Sequence, residues 1–528
     1  MTTAAELIRE GNKEKIWNKY CGFLDLDIKS FMQIQNRLLL EQIAIIKDSN
    51  LGKHFFGKKA PINIDEFRKK VPLTMYEDYV PFLLEKSEKD LPPGNYVWAR
   101  TSGKSGKYPC KWIPYTDRIY EKLGEVVVGA VILSSCKYKG DINIEPGDVA
   151  LLMTAPLPYT SGYISRATDD QLDMRFVPPL EEGEKMGFAD RISIGFKLAM
   201  EYGLDMFFGL ASVLGKMGER FESGSASGSF SLKDLPPRAF FRLLGGFLKA
   251  KLQKRNLLPK DIWKVKSIMT GGMDTDIYRE RIEYYWGRKP LEGYASTEGG
   301  MCGMQSWSFK GMTLFADCNL YEFIPFNEHL KLKADPKYEA KTLLMDELTP
   351  GIYEIVFTNF YGGALMRYRI GDLVEVIALE DEEAGVKLPQ FKFYSRADDL
   401  IDIGNMARFT ETSIWRAIDD SGVSYEDWTA RKEQVNGNTV LHIYLELKGE
   451  EKRGLPEIES ILSKKMKKYH SDFMDMTEIF GDDQFKVSLL PEGAFGRYID
   501  MQLKAGSDLA HIKPAHMQPK DAVMERLL

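Results

Sequence analysis

From about residue 93 onward, short apolar runs alternate with longer helical patterns, which restricts the chain to strands interleaved with helices. Val149–Thr154, Ser267–Thr270 and Tyr353–Phe357 are β-branched or aromatic, and Gly, Pro or Asn follows each within a few residues. Strands threaded through helices in this way predict an α/β, or mixed α+β, architecture. The opening segment differs. Leu39, Ile43 and Ile46 stand at i, i+4 and i+7, with Ile34 and Leu38 widening the stripe, so a helix packed on a core is expected there. With 528 residues the chain outgrows a single core, since cores stop enlarging near ~250–300 residues. The texture changes after the acidic run Leu379–Pro389: Val440–Leu447 alternates, Ile458–Met466 reads helical and Val487–Leu490 reads as strand. The expected division is a large domain over 1–395, with sheets flanked by helices, and a smaller α+β domain over 396–528.

Charge and apolar run lengths exclude several classes of function. Lys+Arg 71 against Asp+Glu 77 leaves a net charge of −6, so no broad electrostatic footprint for nucleic acid or an anionic membrane is expected, although a local basic patch remains open. Val126–Leu133 and Met206–Leu214 are the most apolar stretches, far shorter than the ~20 residues of a membrane span. Met1–Glu10 lacks the apolar core of a signal peptide. Cys21, Cys110, Cys136, Cys302 and Cys318 form no C-x-x-C pair and suit reduced thiols, giving a cytoplasmic expectation. The six histidines show no H-E-x-x-H spacing, and His511 with His516 reads as a surface pair rather than a metal site.

Five stretches could carry chemistry. Arg100–Lys111 (RTSGKSGKYPCK) packs hydroxyls, glycines and lysines so that N–H, O–H and ammonium groups can converge on phosphate oxygens. It is not a Walker A loop, because Tyr108 stands where Ser or Thr is required and Thr101 replaces the first glycine. Met269–Met273 (MTGGM) ends a short strand with Gly271 and Gly272, which would let a flat ring lie on bare backbone; a tight turn is the plainer reading. Gly293–Gly300 (GYASTEGG) offers the Tyr294 ring, the Ser296 and Thr297 hydroxyls and the Glu298 carboxylate, a hard oxygen donor suited to Mg²⁺ unless it merely faces solvent. Met366–Leu373 (MRYRIGDL) places Asp372 after a glycine at a turn, where it could accept from both ribose hydroxyls or simply form an Asx turn. Phe393–Leu400 (FYSRADDL) sets Arg396 at the expected domain junction.

In this order the motifs resemble those of the adenylate-forming superfamily. Within it the chain is most similar to the Gretchen Hagen (auxin-responsive) family of acyl acid–amido synthetases. Val71–Tyr79, Asn319–Pro325, Leu348–Asp372, Pro491–Phe495 and Gly506–Pro514 carry that likeness outside the nucleotide loops. Departures fall at Lys104, at the position of Lys111, at Ser395, at Ala407–Glu411 and at Lys513–His516.

The resemblance implies an N-terminal adenylate-forming domain and a mobile C-terminal one, ATP and Mg²⁺ as cofactors, and transfer of an acyl group to an amino acid. Coenzyme A as acceptor, or a silent relative that binds an acyl ligand or a partner protein, are the alternatives. No nucleic-acid or membrane partner is implied. It also implies that Thr101, Ser102 and Ser105 hold phosphates, that Gly271, Gly272 and Tyr294 bound the adenine, that Thr297 lies by the α-phosphate, and that Lys111 and Ser296 belong to the nucleotide-binding set. Glu298 would bind Mg²⁺, Asp372 and Arg396 the ribose, Asp398 would be the hinge and Lys513 the catalytic lysine. Tyr159–Pro179 would help line the acyl pocket.

Overall fold

The computed structural model describes residues 3–101, 110–224, 237–270, 275–403, 407–435, 438–470, 473–474, 484–504 and 516–528. By its contacts the chain divides into two units, Met1–Phe393 and Tyr394–Leu528.

The first unit is organised by one long sheet and a central helix. Its strands are β1 (Tyr96–Arg100), β2 (Trp112–Thr116), β3 (Val149–Leu152), β4 (Arg175–Val177), β5 (Met206–Gly209), β6 (Ser267–Thr270) and β7 (Leu291–Ser296). There follow β8 (Gly300–Gln305), β9 (Met312–Leu314), β10 (Asn319–Pro325), β11 (Gly351–Asn359), β12 (Tyr368–Ala378) and β13 (Gln390–Arg396), the last carrying the chain across the division. Eleven of these share a sheet in the order β10-β11-β12-β13-β9-β8-β7-β6-β5-β3-β4. From β4 to β7 neighbours run parallel, and from β7 through β8 to β9 they turn antiparallel. β1 and β2 pair separately as an antiparallel hairpin.

The local chemistry explains these choices. β3 reads Val-Ala-Leu-Leu with every residue buried, as parallel strands covered on both faces require. The run Val126–Leu133 lies inside the helix Asp117–Ser135, buried throughout rather than along one stripe, so this helix is an internal element. Thr116 caps it by accepting from the Ile119 amide at 3.2 Å. The expected opening helix runs Ile28–Ile46; Leu38, Leu39, Ile43 and Ile46 are buried and Asp27 caps it. The strands expected at Ser267–Thr270 and Tyr353–Phe357 fall on β6 and within β11.

In the second unit β16 (Tyr425–Val435) pairs antiparallel with β17 (Asn438–Leu447), and β17 pairs parallel with β18 (Phe485–Leu489). The hairpin of β14 (Ile401–Ile403) and β15 (Ala407–Phe409) and the helices Glu411–Ser421 and Leu455–Tyr469 complete an α+β arrangement.

His516 corrects the expectation of a surface histidine. It is buried, stacked on Trp428 at 4.5 Å, with Glu411 and Asp427 each 2.7 Å from a ring nitrogen. Burial alone would lower its pKa, but the two carboxylates outweigh burial and raise it from 6.5 to about 9. The stabilisation is thus complete below about pH 6.5 and lost as pH climbs through about 9. Wild type is expected to lose about 3 kcal/mol across that window, followed by Trp fluorescence during urea unfolding. In His516→Gln that slope should flatten; equal slopes in both proteins would refute the assignment.

Candidate active site

The site is built where the parallel strands end, the edge at which open α/β sheets bind ligands. Three segments meet there. β1 ends at Arg100, whose amide donates to the Pro158 carbonyl at 3.0 Å, tying the hairpin to the segment that follows β3. β2 supplies Tyr115, whose hydroxyl donates to the Thr297 carbonyl at 2.7 Å and lies 3.1 Å from the Thr160 hydroxyl. Tyr115 has one proton, so Thr160 donates to it. Burial pushes the Tyr115 phenol well above its ordinary pKa, so it stays a donor. The third segment is the turn after β7, which carries Thr297 and Glu298.

Thr101 and Lys111 flank residues 102–109 and are bonded to each other. The Thr101 amide donates to the Lys111 carbonyl at 3.0 Å, and the Lys111 amide to Thr101 Oγ1 at 3.0 Å. The Lys111 ammonium donates to Glu298 Oε1 at 3.3 Å and to the Tyr368 hydroxyl at 3.0 Å, and Tyr368 donates to the same Oε1 at 3.4 Å. Glu298 is only 7% exposed, so it does not face solvent: its charge is compensated by a lysine 187 positions away in the chain. Its backbone is fixed as well. Asn359 Nδ2 donates to the Glu298 carbonyl at 3.0 Å and to Asn319 Oδ1 at 2.9 Å, while Asn319 Nδ2 donates to the Gly299 carbonyl at 2.8 Å. Ser296 turns inward and accepts from the Gly299 amide at 2.9 Å.

Asp372 is buried and accepts from the Tyr294 hydroxyl at 2.8 Å. The expected turn at this aspartate is instead a bulge inside β12. Leu373 pairs with Glu354 and Arg369 with Val356, so Ile370, Gly371 and Asp372 stand against Ile355 alone. Gly371 has φ 81°, the left-handed region that glycine enters without a Cβ clash. Such a bulge re-aims the side chain beside it, which explains the Gly-Asp pair.

The structure therefore gathers Thr101, Lys111, Thr297 and Glu298 into one linked group and couples Tyr294 to Asp372. Arg396 and Asp398 belong to the second unit, Arg396 ending β13 and Asp398 exposed in the turn after it. Ser102, Ser105, Gly271, Gly272 and Lys513 lie outside the described residues. Sequence reading missed Tyr368, Tyr115, Asn319 and Asn359. Tyr368 sat within the Met366–Leu373 stretch and Tyr115 four residues past Lys111, while Asn319 and Asn359 stood in Asn319–Pro325 and Leu348–Asp372, stretches noted only for their likeness to the family.

The fold is that of the acyl-adenylate-forming ligases. It is similar to AtGH3.15 acyl acid amido synthetase in complex with 2,4-DB, with TM-score 0.68 and 16% identity, covering 98% of this chain and 96% of that one. It is also similar to 2-hydroxyisobutyryl-CoA ligase in the postadenylation state with 2-HIB-AMP, with TM-score 0.57 and 14% identity, covering 90% and 91%. Residues 21–162 match the GH3 family N-terminal domain and residues 312–396 the GH3 family central domain. The likeness to the GH3 family rests on these two stretches, which make up less than half of the chain. Indole-3-acetic acid-amido synthetase GH3.17 of Arabidopsis thaliana is 27% identical over 193 residues, 32% of this chain and 29% of that protein. The probable indole-3-acetic acid-amido synthetase GH3.1 of Oryza sativa subsp. japonica is 28% identical over 173 residues, 31% of this chain and 26% of that protein. The matched stretch thus spans less than a third of either plant relative.

Proposed function

We propose that the protein activates a carboxylic acid with ATP and passes the acyl group to an amine, an amino acid in the simplest case. The observation that carries this reading is the buried Lys111–Glu298–Tyr368 group at the carboxyl edge of the parallel strands. A carboxylate does not react with an amine, because oxide is too poor a leaving group. Attack of its oxygen on the α-phosphorus of ATP forms the acyl–phosphate bond and breaks the bond to pyrophosphate, which leaves. The amine then attacks the acyl carbon, AMP departs, and the ammonium proton is lost to solvent.

The chain's own groups meet the demands of the first step. Two anions must approach, and a lysine held in a largely buried site offsets their repulsion better than one in water. In this reading Thr101 and Lys111, with Ser102 and Ser105, hold the phosphates, and Thr297, with Ser296 shaping its turn, flanks the α-phosphate. Tyr294 bounds the adenine with Gly271 and Gly272, and Asp372 and Arg396 take the ribose. Asp398 is the hinge and Lys513 the lysine that joins from the second unit. The donor set suits Mg²⁺: Glu298 Oε1 accepts from Lys111 and Tyr368, and Oε2 has no partner among the described residues. Bound there, Mg²⁺ would offset charge on the phosphates.

The deciding experiment is a product screen: the protein, ATP and a panel of acids, with amino acids or coenzyme A added separately, read by mass. Acyl–amino acid products are expected. Thioesters instead would favour the coenzyme A reading, which the likeness to a CoA ligase keeps open. No pyrophosphate release with any acid would reject both. Asp372→Ala is expected to weaken ATP binding by about tenfold to a hundredfold, since a buried acceptor for two sugar hydroxyls is lost. Unchanged affinity by calorimetry would remove Asp372 from the ribose site.

A further inference from the structure

The helix Pro237–Leu252 has its amphipathicity inverted. Its inner face is made of small residues with one leucine: Ala239, Leu243, Gly246 and Ala250 are buried. Gly246 sits so close to its neighbours that an added Cβ would stand 3.0 Å from the Leu257 side chain and 3.3 Å from the Asp261 carbonyl oxygen. Arg242 fastens the helix by donating to the Met200 carbonyl at 2.6 Å. The large apolar side chains point the other way. Phe241 is 69% exposed, Leu244 44%, Leu248 58% and Leu252 85%. They stand at i, i+3, i+7 and i+11, a single stripe on the solvent side. Phe240 and Phe247, 41% and 42% exposed, widen its edge. A stripe of this size is more than the scattered exposure of ordinary surfaces and marks an interaction face.

Charge identifies the occupant. Residues 237–260 contain seven basic side chains, Arg238, Arg242, Lys249, Lys251, Lys254, Arg255 and Lys260, and no Asp or Glu, in a chain whose net charge is −6. Asp261 compensates Lys249 at 3.3 Å and Arg255 at 2.5 Å. Arg238, Lys251 and Lys254 make no ion pair among the described residues. On the helical wheel Arg238 and Lys249 border the Leu252 side of the apolar stripe, and Lys251 falls at its other edge between Leu244 and Phe240. Apolar side chains flanked by cations suit the headgroup boundary of an anionic bilayer, where the rings and leucines enter the acyl region and the ammonium groups meet lipid phosphate. A second copy laid on this face would set like charges against each other. No helix of the described residues is long and apolar enough to cross a membrane, so the contact is with the surface.

We propose that this helix docks the protein on anionic lipid membranes, placing the enzyme where amphiphilic acids partition. The expectation of no membrane partner came from net charge and span length, and neither registers a local patch. This docking does not depend on the adenylation chemistry.

The test is cosedimentation of the full chain with vesicles of phosphatidylcholine alone or with about a third phosphatidylglycerol, at low and high salt. Wild type is expected to partition at least about tenfold better onto the anionic vesicles, with the difference shrinking in high salt. Phe241→Ser with Leu248→Ser should cut that binding by about tenfold or more, and Arg238→Glu with Lys251→Glu by a similar factor. Both variants should keep wild-type thermal unfolding and pyrophosphate release, because all four side chains are exposed. Three results would overturn the proposal: no preference for anionic vesicles, binding that survives Phe241→Ser with Leu248→Ser, or a dimer in sedimentation velocity that this variant dissolves. The last would assign the face to a second copy.

Discussion

Glu298→Gln is expected to lower acid-dependent ATP–pyrophosphate exchange by about 10²–10³-fold, the usual loss when one preorganised electrostatic contact is removed from a reaction centre. Glutamine keeps the shape and an oxygen that can accept from Lys111 and Tyr368, so the fold should be largely retained, with a cost of about 1–2 kcal/mol in urea unfolding. What disappears is the negative charge. Lys111 is then left without its counter-charge in a site where both side chains are mostly buried, 15% and 7% exposed. An oxygen able to bind a divalent cation is lost as well. Exchange within about threefold of wild type, in a folded protein, would show that the carboxylate has no role in the chemistry and would leave it a structural partner of Lys111.

The largest stability effect is expected at Glu322 and Arg367. Arg367 Nε and Nη2 donate to the two oxygens of Glu322, both at 2.9 Å, and the pair is 8% and 1% exposed. Arg367 Nη1 donates to the Arg68 and Val71 carbonyls at 2.6 and 2.7 Å, and the Thr342 hydroxyl donates to Glu322 at 2.7 Å. Glu322→Ala would strand a buried guanidinium and should cost about 3–5 kcal/mol, whereas Glu322→Leu with Arg367→Met should cost much less. Urea titration of both proteins checks this; a single-variant loss below about 1 kcal/mol would mean that water reaches the site. The consequence extends to activity. Arg367 immediately precedes Tyr368 and is held at φ 46°, so these bonds set where β12 begins and where the Tyr368 hydroxyl lies. The Val71–Tyr79 segment reinforces the same point, with Thr74 Oγ1 donating to the Met366 carbonyl at 2.7 Å and the Tyr79 hydroxyl accepting from the Met366 amide at 2.8 Å.

Much of the fold was legible because the deciding forces are local. The 3.6-residue stripe of Leu39, Ile43 and Ile46 gave a helix, and the β-branched runs before glycine or proline gave β3, β6 and β11. Misreadings arose where burial or pairing overrode local preference. Gly371-Asp372 has the composition of a turn, yet two neighbouring strands captured it as a bulge. His516 has the polarity of a surface residue, yet Glu411 and Asp427 allow it to be buried charged. Nothing in the sequence alone shows that the larger side chains of Pro237–Leu252 face outward, since both faces of this helix are apolar and only its neighbours select one.

Residue order settled the inventory: a hydroxyl and lysine loop, a glycine-framed carboxylate, and an aspartate behind a glycine, each at the end or bend of a strand. Those features follow from side-chain chemistry and backbone freedom within a few residues. Partnership was settled in three dimensions. Lys111 finds Glu298 across 187 positions, Tyr294 finds Asp372 across 78, and Asn359 finds the Glu298 carbonyl across 61. Sheet order and strand register bring such pairs within about 3 Å of each other, and neither is encoded in any short window of sequence, because each arises from the simultaneous packing of the entire unit.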